Sequence, residues 1–474
     1  MTKSYNENII PYDKDIICAC ATAVGNSAIG IIRCSGKDSQ ELLKKIFKPH
    51  NREKIDRFKS HHAYYGKLYD NDILIDDVLI LTFSDGKSFT GEESFEINCH
   101  GSMVVISLIL RLLCKNGART AEPGEFSKRA FLNNKLDLSS AEAVMDIVNA
   151  STDKAAHIAA QQLTGRVKRE IDLLKDKTSD VLSAIEVYID YPEEDLTPDI
   201  NKWISQIHII LDENKQLIAG FARGKYFRTG IRMALLGRTN VGKSTLFNYI
   251  LNDDKAIVSD IHGTTRDYLD ATVTICGYGV KIFDTAGLRQ TDDPIEKEGT
   301  RRSVEISESA DIIVYLLSAD DGITNIDKEN LERYKKNKLL CILNKSDLLE
   351  ARELDTLKND LQKELGNKSN IKIIHMSALH RKGLEEFNNS FKKLLISSDI
   401  ADSTDPTITN ERHAILLEQA ESALASAIMR LREESLDLAA FDIRSALNYY
   451  GEITGEVTPD DILNKIFSTF CVGK

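Results

Sequence analysis

Across 474 residues no stretch approaches the ~20 consecutive apolar residues that span a bilayer, which excludes a helical membrane protein. The opening segment, MTKSYNENIIPYDKD, lacks the basic-then-apolar order of a signal peptide and the Arg-rich, acid-poor character of a transit peptide. The protein is therefore expected to be cytoplasmic and to have no membrane partner. The eight cysteines (Cys18, Cys20, Cys34, Cys99, Cys114, Cys276, Cys341 and Cys471) include no C-x-x-C pair. That spacing argues against a disulfide framework and against a zinc site, and leaves buried free thiols as the expectation for most of them. The last four residues, CVGK, fit a prenylation box in length only, because Gly in the third place and Lys in the last argue against it. A basic surplus is also missing: 61 Lys and Arg face 73 Asp and Glu, a net charge of −12. Proteins that grip RNA through its phosphates usually carry a surplus of positive charge. Any contact with nucleic acid is thus expected to use a local patch or a partner.

What is present is the composition of a soluble globular protein, 42% hydrophobic and 28% charged, in a chain long enough for two to four domains. The first part reads as mixed α/β, with strands at Ala28–Arg33 and Val78–Phe83 and a buried helix over Val104–Cys114. From about Ser127 the spacing becomes helical, over Ser140–Ala160, Gln161–Glu186 and 199–222, with a turn at Tyr191–Pro198. From Ile231 short apolar strands alternate with amphipathic helices: Met233–Leu236, Val280–Phe283, Ile312–Leu317, Leu339–Leu343 and Ile371–His375. That alternation predicts a doubly wound parallel sheet covered on both faces. A linker follows at Asp402–Asn410. Leu417, Ala420, Leu424, Ile428 and Leu431 then mark one helical face, and further helices are predicted over Leu438–Tyr450 and Pro459–Phe470. Helical segments on both sides of the α/β block predict an α/β domain inserted into a helical one. The expected boundaries are 1–130 for the N-terminal domain, 131–226 with 394–474 for the helical domain, and 227–393 for the inserted domain.

The chemistry concentrates at Gly237-x-x-x-x-Gly242-Lys243-Ser244, between a predicted strand and a predicted helix. Backbone N–H groups of Asn240, Val241, Gly242, Lys243, Ser244 and Thr245 are expected to wrap phosphates, with the helix N-terminus adding partial positive charge. Lys243 is expected to reach the β- and γ-phosphates, and the Ser244 hydroxyl to ligate Mg²⁺. Gly263-Thr264-Thr265-Arg266-Asp267 follows, where Thr265 can complete the Mg²⁺ shell. Asp284-Thr285-Ala286-Gly287 ends a strand, placing Asp284 toward Mg²⁺ through water and the Gly287 N–H toward the γ-phosphate. Asn344-Lys345-Ser346-Asp347 ends another strand. Asp347 would accept from the N1–H and 2-amino groups that only guanine offers together, and adenine would leave the carboxylate unpaired. Ser377-Ala378 ends the last strand and would back the guanine O6. Five such motifs in order predict a GTP hydrolase.

The residue after Asp284-Thr285-Ala286-Gly287 is Leu288, where many regulatory GTPases carry the Gln that orients water. Another group must take that part. Asn240 offers an uncharged oxygen near the phosphates, and a monovalent cation held there could do the work of an arginine finger. Glu296 lies on the segment expected to move with the γ-phosphate; by spacing alone a solvated helix-face glutamate is the simpler reading.

FTGEESFEINCHG (89–101), PGEFSKRAFLNNKLDLSSAEA (123–143), GRTNVGKST, GTTRD, DTAGLR (284–289) and the terminal DDILNKIFSTFCVGK together resemble the MnmE (TrmE) family of bacterial tRNA-modification GTPases. The resemblance implies a folate-binding aminomethyltransferase-like N-terminal α+β domain that forms a homodimer, a helical domain, and an inserted P-loop G domain. It implies K⁺ ligands at Asn240, Ser259, Ile261 and Thr264, with Ser259 and Thr264 also close to GTP, and it assigns water orientation to Glu296. Arg289 is implied to couple the switch to the dimer. A site for 5-formyl- or 5,10-methylene-tetrahydrofolate is implied at Arg33, Glu96, Lys135 and Lys474, where basic groups suit the two carboxylates of a glutamate tail. Cys471 lies in the tail that reaches that site, and a packed small residue and a reactive thiol both remain open. The implied partners are tRNA and the flavoprotein MnmG (GidA), in a heterotetramer or larger, which together modify C5 of the wobble uridine. The chain departs from the family pattern at Thr239, Leu379 and Ser259. Two alternatives stand beside this reading: an RNA-binding ribosome-assembly GTPase, and a structural homodimer whose N-terminal fold no longer binds folate. The acidic balance and the helical C-terminus count against the first, and the four implied folate residues against the second.

Overall fold

The computed structural model describes residues 15–23, 25–50, 55–190, 198–251, 270–284, 309–366, 368–395 and 406–473. They divide into two compact units. One comprises residues 1–145, 162–211 and 419–474; the other, 146–161 and 212–418, interrupts it in sequence.

The first unit contains a seven-stranded sheet: β1 (Ile16–Cys20), β2 (Ile29–Ser35), β3 (Phe47–Pro49), β4 (His62–Asp70), β5 (Ile73–Phe83), β6 (Ser94–His100) and β7 (Ala118–Thr120), in the order β3-β4-β5-β6-β2-β1-β7. Every pairing is antiparallel except β1 with β7. Burial alternates residue by residue along β2 and β6, which is how a sheet reads when one face packs and the other does not. The packed face carries Ile32, Val78, Ile80, Phe95 and Ile97 against Leu42, Leu43 and Ile46 of the helix Ser39–Ile46 and Ile106, Ile109 and Leu113 of the helix Met103–Lys115. Of these strands only β2 and β5 are predicted from the sequence; polar β4, β6 and the short β1, β3 and β7 are not.

The helices follow the apolar spacing with one difference, and one of them, Asp153–Leu163, lies almost wholly in the second unit. Where two long helices were expected over 140–186, there are three: Leu138–Asn149, Asp153–Leu163 and Arg166–Asp190. The Thr152 hydroxyl accepts the Ala155 N–H at 3.1 Å and so starts a new helix. Gly165, at φ 81°, ends it. Val167, Ile171, Leu174, Thr178, Val181, Leu182 and Ile185 form one buried stripe on Arg166–Asp190. The helix Leu436–Thr454 packs beside it, with Arg444 pairing Glu186 at 2.6 Å and Lys175 pairing Glu456, a crossed order that makes the two antiparallel. The helix Asp460–Ser468 sets Leu463 and Phe467 against Leu138, Ala141 and Met145. The predicted turn at Tyr191–Pro198 falls almost entirely outside the described residues, as does the first half of the 402–410 linker.

The second unit holds β8 (Ile231–Gly237), β9 (Asp270–Ile275), β10 (Tyr278–Asp284), β11 (Ile312–Ser318), β12 (Leu339–Asn344) and β13 (Ile371–His375), ordered β13-β12-β11-β8-β10-β9. All pairs are parallel except β9 with β10. β11 and β12 are buried at every residue, as central strands covered on both faces must be. One face packs Leu246, Phe247 and Ile250 of Lys243–Leu251 and Phe387, Phe391 and Leu394 of Leu384–Leu395. The other packs Leu331 and Tyr334 of Asn325–Tyr334 and Leu361 and Leu365 of Ala351–Leu365. Among the described residues no helix is long and apolar enough to cross a membrane.

Candidate functional site

β8 is where the strand order of the second unit reverses: β10 lies on one side of it and β11 on the other. In a doubly wound sheet the crevice beyond the carboxyl ends at such a point is the ligand site. The chain leaves β8 through Gly237 at φ 139°, passes Asn240 at φ 61°, and reaches Gly242 at φ 97°. Side chains would block this path. A Cβ at Gly237 would sit 2.4 Å from the Leu316 carbonyl, and one at Gly242 would sit 2.2 Å from Nδ2 of Asn344. Lys243 opens the next helix, and its ammonium donates to the Gly237 and Arg238 carbonyls, each at 2.6 Å. Ser244 and Thr245 stay exposed in the first turn, where free N–H groups and the helix dipole favour an anion.

Asn344 joins three motifs. Its Nδ2 donates to the Val241 carbonyl at 2.8 Å and its Oδ1 accepts the Ala378 N–H at 3.0 Å. One buried amide thus fixes the 237–245 loop to the 377–378 segment. Beside it, the Ser377 hydroxyl donates to Oδ1 of Asp347 at 2.5 Å, and His380 Nε2 lies 3.4 Å from Oδ2. The Ser377 hydrogen bond holds the Asp347 carboxyl below its usual range, so it presents an ionised acceptor. Ser377 and Lys382 exchange two backbone hydrogen bonds, at 3.1 and 3.0 Å, which close the turn carrying His380 and Arg381. The arrangement can bind a phosphate chain at one end and a base with two adjacent donors at the other.

Asp284 ends β10 opposite Leu235 of β8, two residues before Gly237. Ser259, Ile261, Thr264, Thr265, Thr285, Ala286, Gly287, Leu288, Arg289 and Glu296 lie outside the described residues, as does Lys474. Among the described residues there is no cluster of three or more His, Cys, Asp or Glu side chains able to hold a metal. Residues that fit a hard cation beside phosphate are the exposed Ser244 hydroxyl and the Asn240 amide.

The first unit brings a second group together. Arg33 and Glu96 are register partners on β2 and β6, and Arg33 Nε lies 2.8 Å from Glu96 Oε1. Arg33 also donates to the Gly473 carbonyl at 3.5 Å and sits 6.0 Å from the Phe89 ring. Lys135 donates to the Gly86 carbonyl at 3.1 Å and lays its stem against Gly91. Arg33 and Lys135 therefore border the same 86–91 loop. The tail is seated closely: a Cβ at Gly473 would meet the Cys20 carbonyl at 2.3 Å, and the Cys471 carbonyl accepts the Gly124 N–H at 3.4 Å. The Cys471 thiol itself is exposed, while Cys18, Cys34, Cys99 and Cys341 are buried and all eight cysteines are free.

Sequence reasoning missed two sets of residues. Arg129, 1% exposed, meets Asp15 at 2.7 Å, Glu125 at 2.9 Å and Glu92 at 3.2 Å, fastening β1 and the 88–93 loop to the helix Glu125–Leu132. Arg238 lies within the phosphate-loop motif, and Asp320 and Asp321 lie just beyond β11. Apart from the i, i+4 spacing of Glu125 and Arg129, the partners lie far apart in the chain and give no spacing signal.

Two family descriptions match: "GTP-binding protein TrmE N-terminus" over residues 16–135 and "MnmE helical domain" over residues 138–471. Among curated proteins, "tRNA modification GTPase MnmE" of Clostridioides difficile (strain 630) is 38% identical over 462 residues, covering 97% of this chain and 99% of that one. The protein of the same name from Thermoanaerobacter sp. (strain X514) is 40% identical over 467 residues, with 97% and 99% covered. That from Streptococcus thermophilus (strain CNRZ 1066) is 39% identical over 466 residues, with 97% and 98% covered. Matches over two adjoining segments and full-length identity near 40% leave one assignment: this chain belongs to the MnmE family of tRNA modification GTPases.

Proposed function

We propose that the protein hydrolyses GTP to drive modification of the wobble uridine of certain tRNAs. The observation that carries the proposal is the Asn344 amide, which ties the phosphate loop to the segment whose Ser377 holds Asp347 ready for guanine. The domain boundaries we propose are 1–130, 131–226 with 394–474, and 227–393, the last a G domain inserted in the helical one.

In the proposed mechanism the loop N–H groups from Asn240 to Thr245 hold the phosphates, and Lys243 moves from the Gly237 and Arg238 carbonyls onto them. Asp347 accepts the N1–H and 2-amino group of guanine, and Ser377 keeps that carboxylate oriented. Mg²⁺, held by Ser244 and Thr265 with Asp284 and Gly287 nearby, would neutralise phosphate charge; K⁺, held by Asn240, Ser259, Ile261 and Thr264, would supply the charge an arginine finger gives elsewhere. Thr285, Ala286 and Arg289 belong to the segment that changes with the γ-phosphate. Glu296 orients the attacking water, since Leu288 has no group to do so.

The proposal extends to a tetrahydrofolate site at Arg33, Glu96, Lys135 and Lys474, a homodimer formed through the N-terminal domain, and action in the cytoplasm with the flavoprotein MnmG. The exposed apolar side chains Ile29 of β2 and Leu79 of β5, which the strand register puts on one face of the sheet, support an interface there. The acidic balance supports a partner that supplies most of the tRNA affinity. Hydrolysis measured in matched K⁺ and Na⁺ salts tests the cation assignment: a strong preference for K⁺ is expected, and equal rates would refute it.

A further inference from the structure

We infer that the loop leaving β11, Ser318–Asp321, positions both halves of the nucleotide site, with Asp320 acting on the base side through Lys345 and Asp321 on the phosphate side through Arg238. The inference rests on the guanine-nucleotide reading of the site.

The topology places this loop between the two motifs. β11 pairs with β8, Leu316 opposite Gly237, and with β12, Ser318 opposite Asn344. The Ala319 N–H donates to the Asn344 carbonyl at 2.9 Å, and the Asp321 N–H to Ser318 at 3.3 Å, so the loop turns tightly against the end of β12. The Ser318 hydroxyl donates to Asp320, which holds that carboxyl below its usual range and keeps it ionised. Asp320 in turn receives the Lys345 ammonium at 3.2 and 3.4 Å. Lys345 stands at φ 59°, so its backbone leaves β12 in a left-handed turn and its side chain is fixed by this pair. A lysine stem held at that place, next to Asp347, is placed to cover one face of the base.

On the other side, Arg238 is the second residue of the phosphate loop. Its guanidinium lies 3.1 Å from Asp327 and 3.5 Å from Asp321. Asp327 is fully buried and receives the Thr324 N–H at 3.0 Å, the Thr324 hydroxyl at 2.6 Å and the Tyr315 hydroxyl at 3.1 Å, so it is a rigid anchor. The Arg238 carbonyl is among the oxygens that receive Lys243. Moving Arg238 therefore moves the resting place of the lysine that must meet the phosphates.

The two ends predict different signatures. Losing Asp320 disturbs only base cover, so affinity for GTP, GDP and GMP falls by one common factor. Losing Arg238 disturbs the loop that wraps the outer phosphates, so GTP and GDP suffer more than GMP. The test is titration of the full-length chain and its Asp320→Ala, Asp320→Glu and Arg238→Gln variants with the three nucleotides, beside melting curves. The Lys345–Asp320 pair is partly solvated, so Asp320→Ala should weaken all three by roughly 2- to 5-fold, with Asp320→Glu recovering most of the loss. Arg238→Gln should weaken GTP and GDP by roughly 10-fold and GMP much less. Unchanged affinities with a lowered melting temperature would show a purely structural role and overturn the inference. So would an Asp320→Ala loss that grows with the number of phosphates. A wild-type chain that binds no guanine nucleotide would instead sink the underlying reading of the site.

Discussion

Gly242→Ala puts the construction of the phosphate loop under the most stringent strain. Gly242 stands at φ 97°, a conformation an L side chain rarely adopts, and holding alanine there costs about 1–3 kcal/mol. Its Cβ would also lie 2.2 Å from Asn344 Nδ2, so the amide must move. Moving it breaks the bonds to Val241 and Ala378, each contributing about 1 kcal/mol. The combined loss is about 3–5 kcal/mol, or roughly 150- to 4,000-fold in GTP affinity where the loop geometry sets binding. Asn344→Ala separates the contributions: it removes both bonds without the backbone strain and should cost about 2 kcal/mol, roughly 30-fold. Titration with a fluorescent GTP analogue, alongside melting curves that confirm a folded chain, reads both. A folded Gly242→Ala protein binding within threefold of wild type would refute the contact between these motifs as the basis of the site.

Two further outcomes follow from named contacts. Asp347→Asn replaces two acceptors with one acceptor and one donor, a pattern that matches xanthine rather than guanine. GTP hydrolysis should fall sharply and XTP hydrolysis rise; retention of GTP activity with none for XTP would contradict the role of Asp347. Glu125 tests the buried network: burial alone would raise its carboxyl, but hydrogen bonds from Arg119, the Glu122 N–H and Arg129 outweigh it and hold the group at about 2 against an ordinary 4.5. A depressed carboxyl stabilises the fold above its unfolded value and loses that contribution as pH falls toward the folded one, here about 3 kcal/mol between pH 4.5 and 2. The stability gap between wild type and Glu125→Gln in urea should therefore close over that range, and a gap independent of pH would contradict the network.

The second unit was the more legible in sequence because its central strands are buried on both faces. Ile312–Ser318 and Leu339–Asn344 read as unbroken apolar runs, and the motifs fall at their ends. The N-terminal sheet was harder. Its strands alternate, and in β4 the outward residues are Tyr and Lys, so period alone does not separate strand from loop. The helix breaks at Thr152 and Gly165 depend on single capping residues that a long apolar stripe overrides. Asn344, Asp347 and Lys243 were found because each belongs to a local motif. The contacts of Arg238 and Asp320, and those of Arg129 to Asp15 and Glu92, were not, because these partners are fixed by sheet order and burial rather than by spacing. Arg33 with Glu96 came only through family resemblance; cross-strand register is what makes them a pair.

The central claim, that a guanine-nucleotide switch in this chain serves tRNA modification, is tested most directly by nucleoside mass spectrometry of tRNA from a strain lacking the protein. The C5-modified wobble uridine should be missing, should return with the wild-type chain, and should stay missing with a folded Gly242→Ala chain that cannot hold GTP. Persistence of that nucleoside without the protein, or its full recovery with the nucleotide-free variant, would contradict the account.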